Sequence, residues 1–449
     1  MKQTRSTSHL SRRHFLAGTS ALGATALAAV PARADSAIVA TELGVSANSG
    51  ADQSRALQTA LTEAVKQGRP LFLPSGTYVA EKLALPTGSR LIGSGAETVM
   101  QSSGNAPVLM AEDVQNIAVA TLTIAGKRNG AREVSLIRLS GVSNFDLRNI
   151  NVRDSGGNGI RLDGSAGRIE DSQWSGFGLS AIHAQDSVGL LISNNYITQC
   201  ANGGIRVWRS EEGQDGTIVT GNRILAIFSQ SGNGQNGNGI NVYRADEVIV
   251  ADNHISDCDF SAVRLNTTNN TIVRGNMCSN LREVGIFSEF DFSGSVIADN
   301  IVDEAAFGIS MTNFKEGGRL AVCTGNMVWN IWPSSPTNPD TRPIGISAEA
   351  DAAITGNVVE GVPGAGIVAG WGPYLRDVLV ANNAITKTKV GIAVSVAEGA
   401  GAARISGNHI AGAEYRAISG FAWADPKGED LALKPKQYAQ VTVEGNSVS

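Results

Sequence analysis

Residues 192–197 read Ile-Ser-Asn-Asn-Tyr-Ile, and the spelling returns along the chain. Val-Thr-Gly-Asn-Arg-Ile follows at 219–224, Val-Ala-Asp-Asn-His-Ile at 250–255, and Ile-Thr-Gly-Asn-Val-Val at 354–359. Ten copies of apolar–x–(Gly/Asn/Asp)–Asn–x–apolar end with Val443–Val448, and weaker frames begin at 119, 147 and 169. Most copies stand 22 to 31 residues apart. Alternation over four or five residues, without helical periodicity, marks the flanks as short strands. One such unit cannot bury its apolar face alone, so the units must stack, each bonded to the next at ~4.8 Å. Thirteen stacked units predict a length on the order of 60 Å. Gly, Asn and Asp tolerate the left-handed backbone of a tight turn, and Asn195, Asn222, Asn253, Asn276 and Asn300 are placed to pass amide hydrogen bonds from coil to coil. The Asn motif therefore specifies architecture rather than chemistry.

A second motif, (Gly/Ala)-(Ile/Val)-x-(apolar or small), lies between the copies, for example Gly-Ile-Arg-Leu at 159–162 and Gly-Ile-Arg-Val at 204–207. It usually follows the Asn turn at a fixed interval, and two long insertions, 225–238 and 329–344, break that interval. In these strands the Ile and the residue two later point inward, so the residues between and after them point out. One outward column reads Arg161, His183, Arg206, Asn241, Arg264, Phe287, Ser310. The other reads Asp163, Gln185, Trp208, Tyr243, Asn266, Glu289, Thr312. Beyond them the columns become plainer: Ser347, Val368, Ala393 and Glu349, Gly370, Ser395. Arginine forks pair with carboxylates, and flat aromatics stack on sugar rings. The insertions enter this same face and would wall it as a groove. A solvated, salt-bridged surface ladder would also place Arg beside Asp and Glu, at little energetic consequence.

The ends are distinct. Ala56, Leu57, Ala60, Leu61, Ala64 and Val65 form a helical stripe within 52–68, with Asp52 as N-cap and Gly68 as the stop, and this helix would cover the open end of the first coil. Residues 421–440 make a long polar excursion near the other end. At the start, Ser11-Arg12-Arg13-His14-Phe15-Leu16 precedes an Ala-rich apolar run and Ala32-Arg33-Ala34. This segment resembles a twin-arginine translocation signal, with residues 1–34 removed and the remainder periplasmic or secreted. The apolar run is short and poor in large side chains, which argues against a stable membrane anchor.

The whole chain has a formal charge of −5, and the leader contributes Lys2, Arg5, Arg12, Arg13 and Arg33 with no acid, so the remainder is more acidic still. An acidic body argues against nucleic acid as a partner. Of the four cysteines, Cys278 and Cys323 fall in inward columns, while Cys200 and Cys258 share a column two coils apart, about 9.6 Å, too far for a disulfide. Four buried free thiols are expected. No set has metal-ligand spacing, and neither a metal nor another cofactor is expected.

Taken together, the stacked strands, the Gly/Asp-Asn turn and the helix ahead of Leu73-Pro74-Ser75-Gly76-Thr77-Tyr78 resemble the right-handed parallel β-helix of the pectate-lyase-like superfamily. With its signal, the chain looks like the twin-arginine-translocated repetitive protein family. The resemblance implies an all-β fold: one single-stranded right-handed parallel β-helix of about 13 coils over residues 35–449, with an N-terminal amphipathic capping helix. It also implies a substrate groove on the sheet with the polar columns. The superfamily's Arg-x-Pro-x-x-Arg lyase signature is absent, since Thr341-Arg342-Pro343 lacks the second arginine. On the residues, Arg206 or Arg264 would neutralise a uronate and His183 or an arginine would accept a proton in β-elimination. Arg161, Asp163, Trp208, Asn241, Tyr243, Phe287 and Glu289 would bind the substrate. Asp163 and Glu289 lie five coils apart, on the order of 24 Å, too far for a hydrolytic pair. Two readings stand. One is an exported protein that binds, and in lyase fashion cleaves, an acidic polysaccharide; the other is a non-catalytic cell-envelope scaffold or carbohydrate-binding repeat protein.

The export reading makes a direct prediction. Replacing Arg12 and Arg13 together by Lys should leave unprocessed precursor in the cytoplasm on fractionation, and normal export of that variant would refute the signal.

Overall fold

Three strands make each turn of the chain. In one turn they are Leu191–Ser193, Tyr196–Cys200 and Gly203–Gln214. The first strand of each turn pairs in parallel with the first strand of the next, building a 16-stranded sheet. The second and third strands pair with their counterparts in the same way, as Tyr196 with Arg223 and Ile205 with Ile240. The computed structural model describes residues 37–449 except 103–105, 129, 130, 132 and 233, and within it Ile38–Ser449 is one compact unit. The segment read as an export signal, with Arg12, Arg13 and Ala34, lies outside the described residues.

The result is an all-β parallel solenoid of about 14 turns with one short helix near its start. It begins earlier than the Asn spelling does, because Leu71–Leu73 and Arg90–Gly93 already belong to the first sheet. Those turns lack the Asn and are held by backbone pairing, apolar contacts and scattered side-chain hydrogen bonds such as Thr98 Oγ1 to Leu73 O.

Every copy of the Asn motif does the same work. The residue before the Asn adopts a left-handed conformation, with φ of 56° at Asn194, 66° at Gly221 and 57° at Asp252. This sharp corner turns the Asn side chain inward. Asn222 Nδ2 donates to Ile192 O at 2.9 Å and to Asn253 Oδ1 at 3.0 Å, and Asn253 Oδ1 also accepts from the backbone N–H of Asn222. The relay runs unbroken from Asn195 through Asn222, Asn253, Asn276, Asn300, Asn326, Asn357, Asn383 and Asn408 to Asn446. Ser172 N–H extends it one turn upstream by donating to Asn195 Oδ1.

Inward residues form continuous columns, among them Ile169, Ile192, Val219, Val250, Val273 and Ile297, all fully buried. Cys323 continues this column, and Cys278 stands in the next one between Ile255 and Val302. All four cysteines are buried free thiols. Burial pushes Cys200 and Cys278 up to about 12, which keeps them unreactive. The Gly of the second motif has its own cause: a Cβ at Gly285 would stand 2.6 Å from the carbonyl oxygen of Gly308 on the next turn.

Both ends are covered. The helix Ser54–Lys66 buries Leu57, Ala60, Leu61 and Ala64 against the first turns. It is shorter than the expected 52–68 and its N-cap is Gln53 rather than Asp52, whose Oδ1 nevertheless accepts from Ser54 N–H at 2.8 Å. Gly68, at φ 63°, ends it, with Gly68 N–H bonded to Val65 O and Arg69 N–H to Ala64 O. At the far end Asp425–Asp430 folds back antiparallel onto Ser419–Ala422. That hairpin occupies the outer edge of the last long strand, which would otherwise offer unpaired backbone groups.

If the relay holds the turns in register, cutting it mid-column must cost more than removing an exposed neighbour. Asn276→Ala strands buried partners on two turns and should lower stability by roughly 2–5 kcal/mol. Met277→Ala, at a half-exposed position, should change it by less than ~0.5 kcal/mol. Equal melting temperatures for the two variants would show that the relay contributes nothing.

Candidate functional site

The third strands stack their outward residues in the order the sequence implied. Arg161 pairs with His183, then Arg206, Asn241, Arg264 and Phe287 follow on successive turns. Asp163, Gln185, Trp208, Tyr243, Asn266 and Glu289 form the parallel column. All ten candidate residues thus share one face.

What they touch there differs from an open groove, because the first insertion lies on them. Arg206 Nη2 donates to Asn236 Oδ1 at 2.6 Å and to Asn202 O at 3.0 Å, and its guanidinium stacks over Trp208 at 4.8 Å. Only 7% of Arg206 is exposed, no carboxylate pairs with it among the described residues, and burial lowers its pKa to about 10. Asn241 Nδ2 donates to Gln235 O, and Asn241 Oδ1 accepts from Trp208 Nε1 at 3.1 Å. Tyr243 stands edge-on to Trp208.

Arg264 is engaged on every side. Its Nε and Nη2 reach the two oxygens of Glu289 at 2.7 and 2.8 Å, while Nη1 donates to Gly234 O and to Glu283 Oε2 at 3.2 Å. Asn266 Nδ2 donates to the same Glu289, and Phe287 lies under the Arg264 guanidinium. Asn338, from the second insertion, donates to Glu283 Oε1 at 3.0 Å. This buried cluster ties both insertions to the sheet. Two carboxylates meet the one guanidinium, so Arg264 holds the walls in place and has little left for an anionic ligand.

His183 sits in similar company. Arg161 Nε donates to Asp163 Oδ1 at 2.6 Å and Arg161 Nη1 to His183 Nε2 at 3.0 Å, with Trp208 edge-on at 5.2 Å. Burial, and then the charges of Arg161 and Arg206, lower the His183 pKa to about 3. A neutral imidazole whose lone pair already accepts from Arg161 is a weak proton acceptor.

Two openings lie further along the same face, on the columns that looked plain. A cavity of about 700 Å³ is lined by Val368, Val390 and Ala393 on its floor and by Trp371, Tyr415, Phe421 and Trp423 around it. Arg342 and Lys389 are its cations, and among the described residues neither forms an ion pair. Arg342 stacks on Trp371 at 4.1 Å. Trp423 stands edge-on to Trp371 and Tyr374, and a Cβ at Gly372 would strike its ring at 2.5 Å. A second cleft of about 260 Å³ adjoins it through Arg342, Ile344, Val368 and Trp371. Its lining includes Phe287, Ser310, Glu283, Asp340 and Glu349.

Column reading missed this part because the decisive side chains are off the columns. Arg342 ends the second insertion, Trp371–Tyr374 is a tight excursion after Gly370, and Trp423 comes from the terminal hairpin. The one sequence signal was Trp-Gly-Pro-Tyr at 371–374, which interrupts the repeat. Among the described residues no three His, Cys, Asp or Glu side chains converge as metal ligands, and no helix is long and apolar enough to cross a membrane.

Comparison with known proteins agrees on the fold. Residues 135–229 and 210–332 match the family described as right handed beta helix region. No curated protein matches the chain. Among solved structures, the A-module of the mannuronan C-5 epimerase AlgE4 of Azotobacter vinelandii is similar at 15% identity and a TM-score of 0.54, covering 91% of this chain and 100% of that one. The gene product 12 N-terminal fragment of bacteriophage Phi29 is similar at 14% identity and 0.55, covering 92% and 70%. PfbA, a surface adhesin of Streptococcus pneumoniae, is similar at 14% identity and 0.51, covering 85% and 93%.

The state of His183 is directly measurable. Its ring nitrogens should show a neutral imidazole in ¹⁵N NMR from pH 8 down to pH 5, because its pKa lies at about 3. A titration centred near 6.5 would mean that the face over it is open to water.

Proposed function

We propose that this protein is exported and binds an acidic polysaccharide along the third face, with the aromatic cavity as its principal sugar site. The observation that carries this reading is the pair Arg342 and Lys389. They are exposed cations without carboxylate partners among the described residues, set at the rim of a cavity whose walls are Trp371, Trp423, Tyr415 and Phe421. Aromatic faces take the apolar side of a sugar ring, and a guanidinium fork takes its carboxylate or sulfate. The cavity's size lies in the range of ligand sites, and its lining is mostly apolar with few polar groups, as such sites require.

Anion recognition thereby moves from Arg206, buried under Asn236, and Arg264, met by Glu289 and Glu283, to exposed cations that have no carboxylate partner among the described residues. The buried N-terminal part of the face serves as the rigid support for the wall formed by 225–238. One fold neighbour is an epimerase of mannuronan, which is compatible with this reading but does not carry it.

Affinity electrophoresis through gels containing alginate, polygalacturonate or hyaluronan tests the proposal. Retardation by at least one polymer is expected, weakening as salt rises. Trp371→Ala and the pair Arg342→Gln with Lys389→Gln should each weaken it about tenfold or more, equivalent to ~1.4 kcal/mol. Arg168→Gln, on the first sheet, should leave it unchanged. Binding that survives the cavity substitutions would sink the assignment.

A further inference from the structure

Glu349 is the group on this face that the binding reading leaves without a task. It lines the smaller cleft, beside the aromatic cavity, and is only 7% exposed. Its Oε2 accepts from Phe314 N–H at 2.7 Å, in the short helical turn Phe314–Glu316. Among the described residues no arginine or lysine pairs with it. That is the reverse of Glu283 and Glu289, whose oxygens Arg264 holds. The cleft lining holds two other carboxylates: Glu283, which Arg264 engages, and Asp340, which is exposed on the second insertion.

We infer that Glu349 is the proton donor of a polysaccharide hydrolase whose cleavage point is this cleft. The inference rests on the sugar-binding reading, since the aromatic cavity must hold the polymer so that the next linkage crosses Glu349. Burial raises the carboxyl to about 7, against the opposing backbone N–H bonds from Phe314 and Asn313 and with added repulsion from Glu316. It therefore keeps its proton in weakly acidic to neutral solution. Among the described residues, the two cleft carboxyl groups without an arginine partner, Glu349 buried and Asp340 exposed, divide into acid and base by environment.

The step balances with water as the only co-reactant. Glu349 gives its proton to the glycosidic oxygen, the bond from that oxygen to the anomeric carbon breaks, and the electron pair stays on the leaving hydroxyl. A water oxygen bonds to the anomeric carbon and its proton passes to the Asp340 carboxylate. Exchange with solvent then returns a proton to Glu349 and removes one from Asp340. Arg342, which lines both cavities, is the cation placed to meet a uronate carboxylate next to the broken bond.

The test uses the full chain with the same three polymers, scoring binding and new reducing ends separately. Wild type should release reducing ends from a polymer it binds, without the ultraviolet absorbance of an unsaturated uronate. Activity should fall as pH rises through about 7, as Glu349 loses its proton. Glu349→Gln keeps the acceptor for Phe314 N–H, so it should fold and bind as wild type while losing at least ~100-fold in rate. Asp340→Asn should lose rate without losing binding. Binding without reducing ends in wild type would overturn this inference and leave the binding reading intact. Unsaturated products would overturn it in favour of elimination. Full activity in Glu349→Gln would remove Glu349 from the chemistry, and binding of none of the three polymers would overturn both readings.

Discussion

A column of buried asparagine amides sets the terms for everything else in this molecule. Each Asn donates to a backbone carbonyl of the preceding turn and to the next Asn, and accepts from the backbone of the turn before it. These groups are sealed from water, so an unmade bond would cost the full desolvation of an amide. The corner that carries the column therefore admits no insertion. The inward columns admit none either, since an extra residue would turn every following side chain to the wrong face. Length varies at the other two corners: Trp371–Tyr374 and the turn Phe314–Glu316 follow third strands, and the two long insertions, 225–238 and 329–344, lie between second and third strands. That shared corner is why both insertions wall the same face. The groove follows from where the ladder forbids change.

Electrostatics then divides that face. Around Arg264 the charges are met internally by Glu289 and Glu283, with Asn338 and the Gly234 carbonyl completing the network. Such a cluster contributes position more than affinity, because its members were desolvated on folding and gain nothing by exchanging one partner for another. Around Arg342 and Lys389 the opposite holds. There the cations face a cavity, the walls are aromatic, and no carboxylate answers them among the described residues. A ligand with negative charge and flat apolar faces supplies what that half lacks.

The fold was legible because its cause is local and repeated. A left-handed residue followed by an inward Asn is spelled ten times, and each spelling has one physical solution. The other corner was invisible for the converse reason. It too uses left-handed residues, at Gln199, Ala226, Asp257, Asn280, Glu304, Asn330 and Lys387, but with no common side chain. Nothing there is buried in a shared network, so no residue type is demanded. The outward columns were read in register to the residue, yet register does not say what covers a residue. Arg206 and His183 are outward and buried at once, because Asn236 folds over the first while Arg161 and Trp208 flank the second. The aromatic cavity needed three segments far apart in sequence, ending at Arg342, Trp371 and Trp423, and only the folded chain brings them together.

Two titratable groups on this face are both driven toward neutrality, from opposite directions. Burial lowers His183 to about 3 and raises Glu349 to about 7. The signs of their linkage to stability oppose. As pH falls below 6.5 the unfolded chain protonates His183 while the folded one does not, so stability is lost toward pH 3. Glu349 stabilises fully below 4.5, where both states hold the proton without a charge to bury, and that contribution is lost as pH rises through about 7. Between 4.5 and 6.5 the two slopes cancel in part, and the face carries neither charge. In that window it holds an acid with a proton to give and an imidazole too weak to take one. Elimination from a uronate requires a base strong enough to remove a carbon-bound proton, and the buried His183 is not one. Protonation of a leaving oxygen requires an acid that is still protonated near neutrality, which Glu349 is. Burial thus removes His183 as the base of an elimination and keeps Glu349 protonated, and Arg206, lowered to about 10, is the base left to the elimination reading.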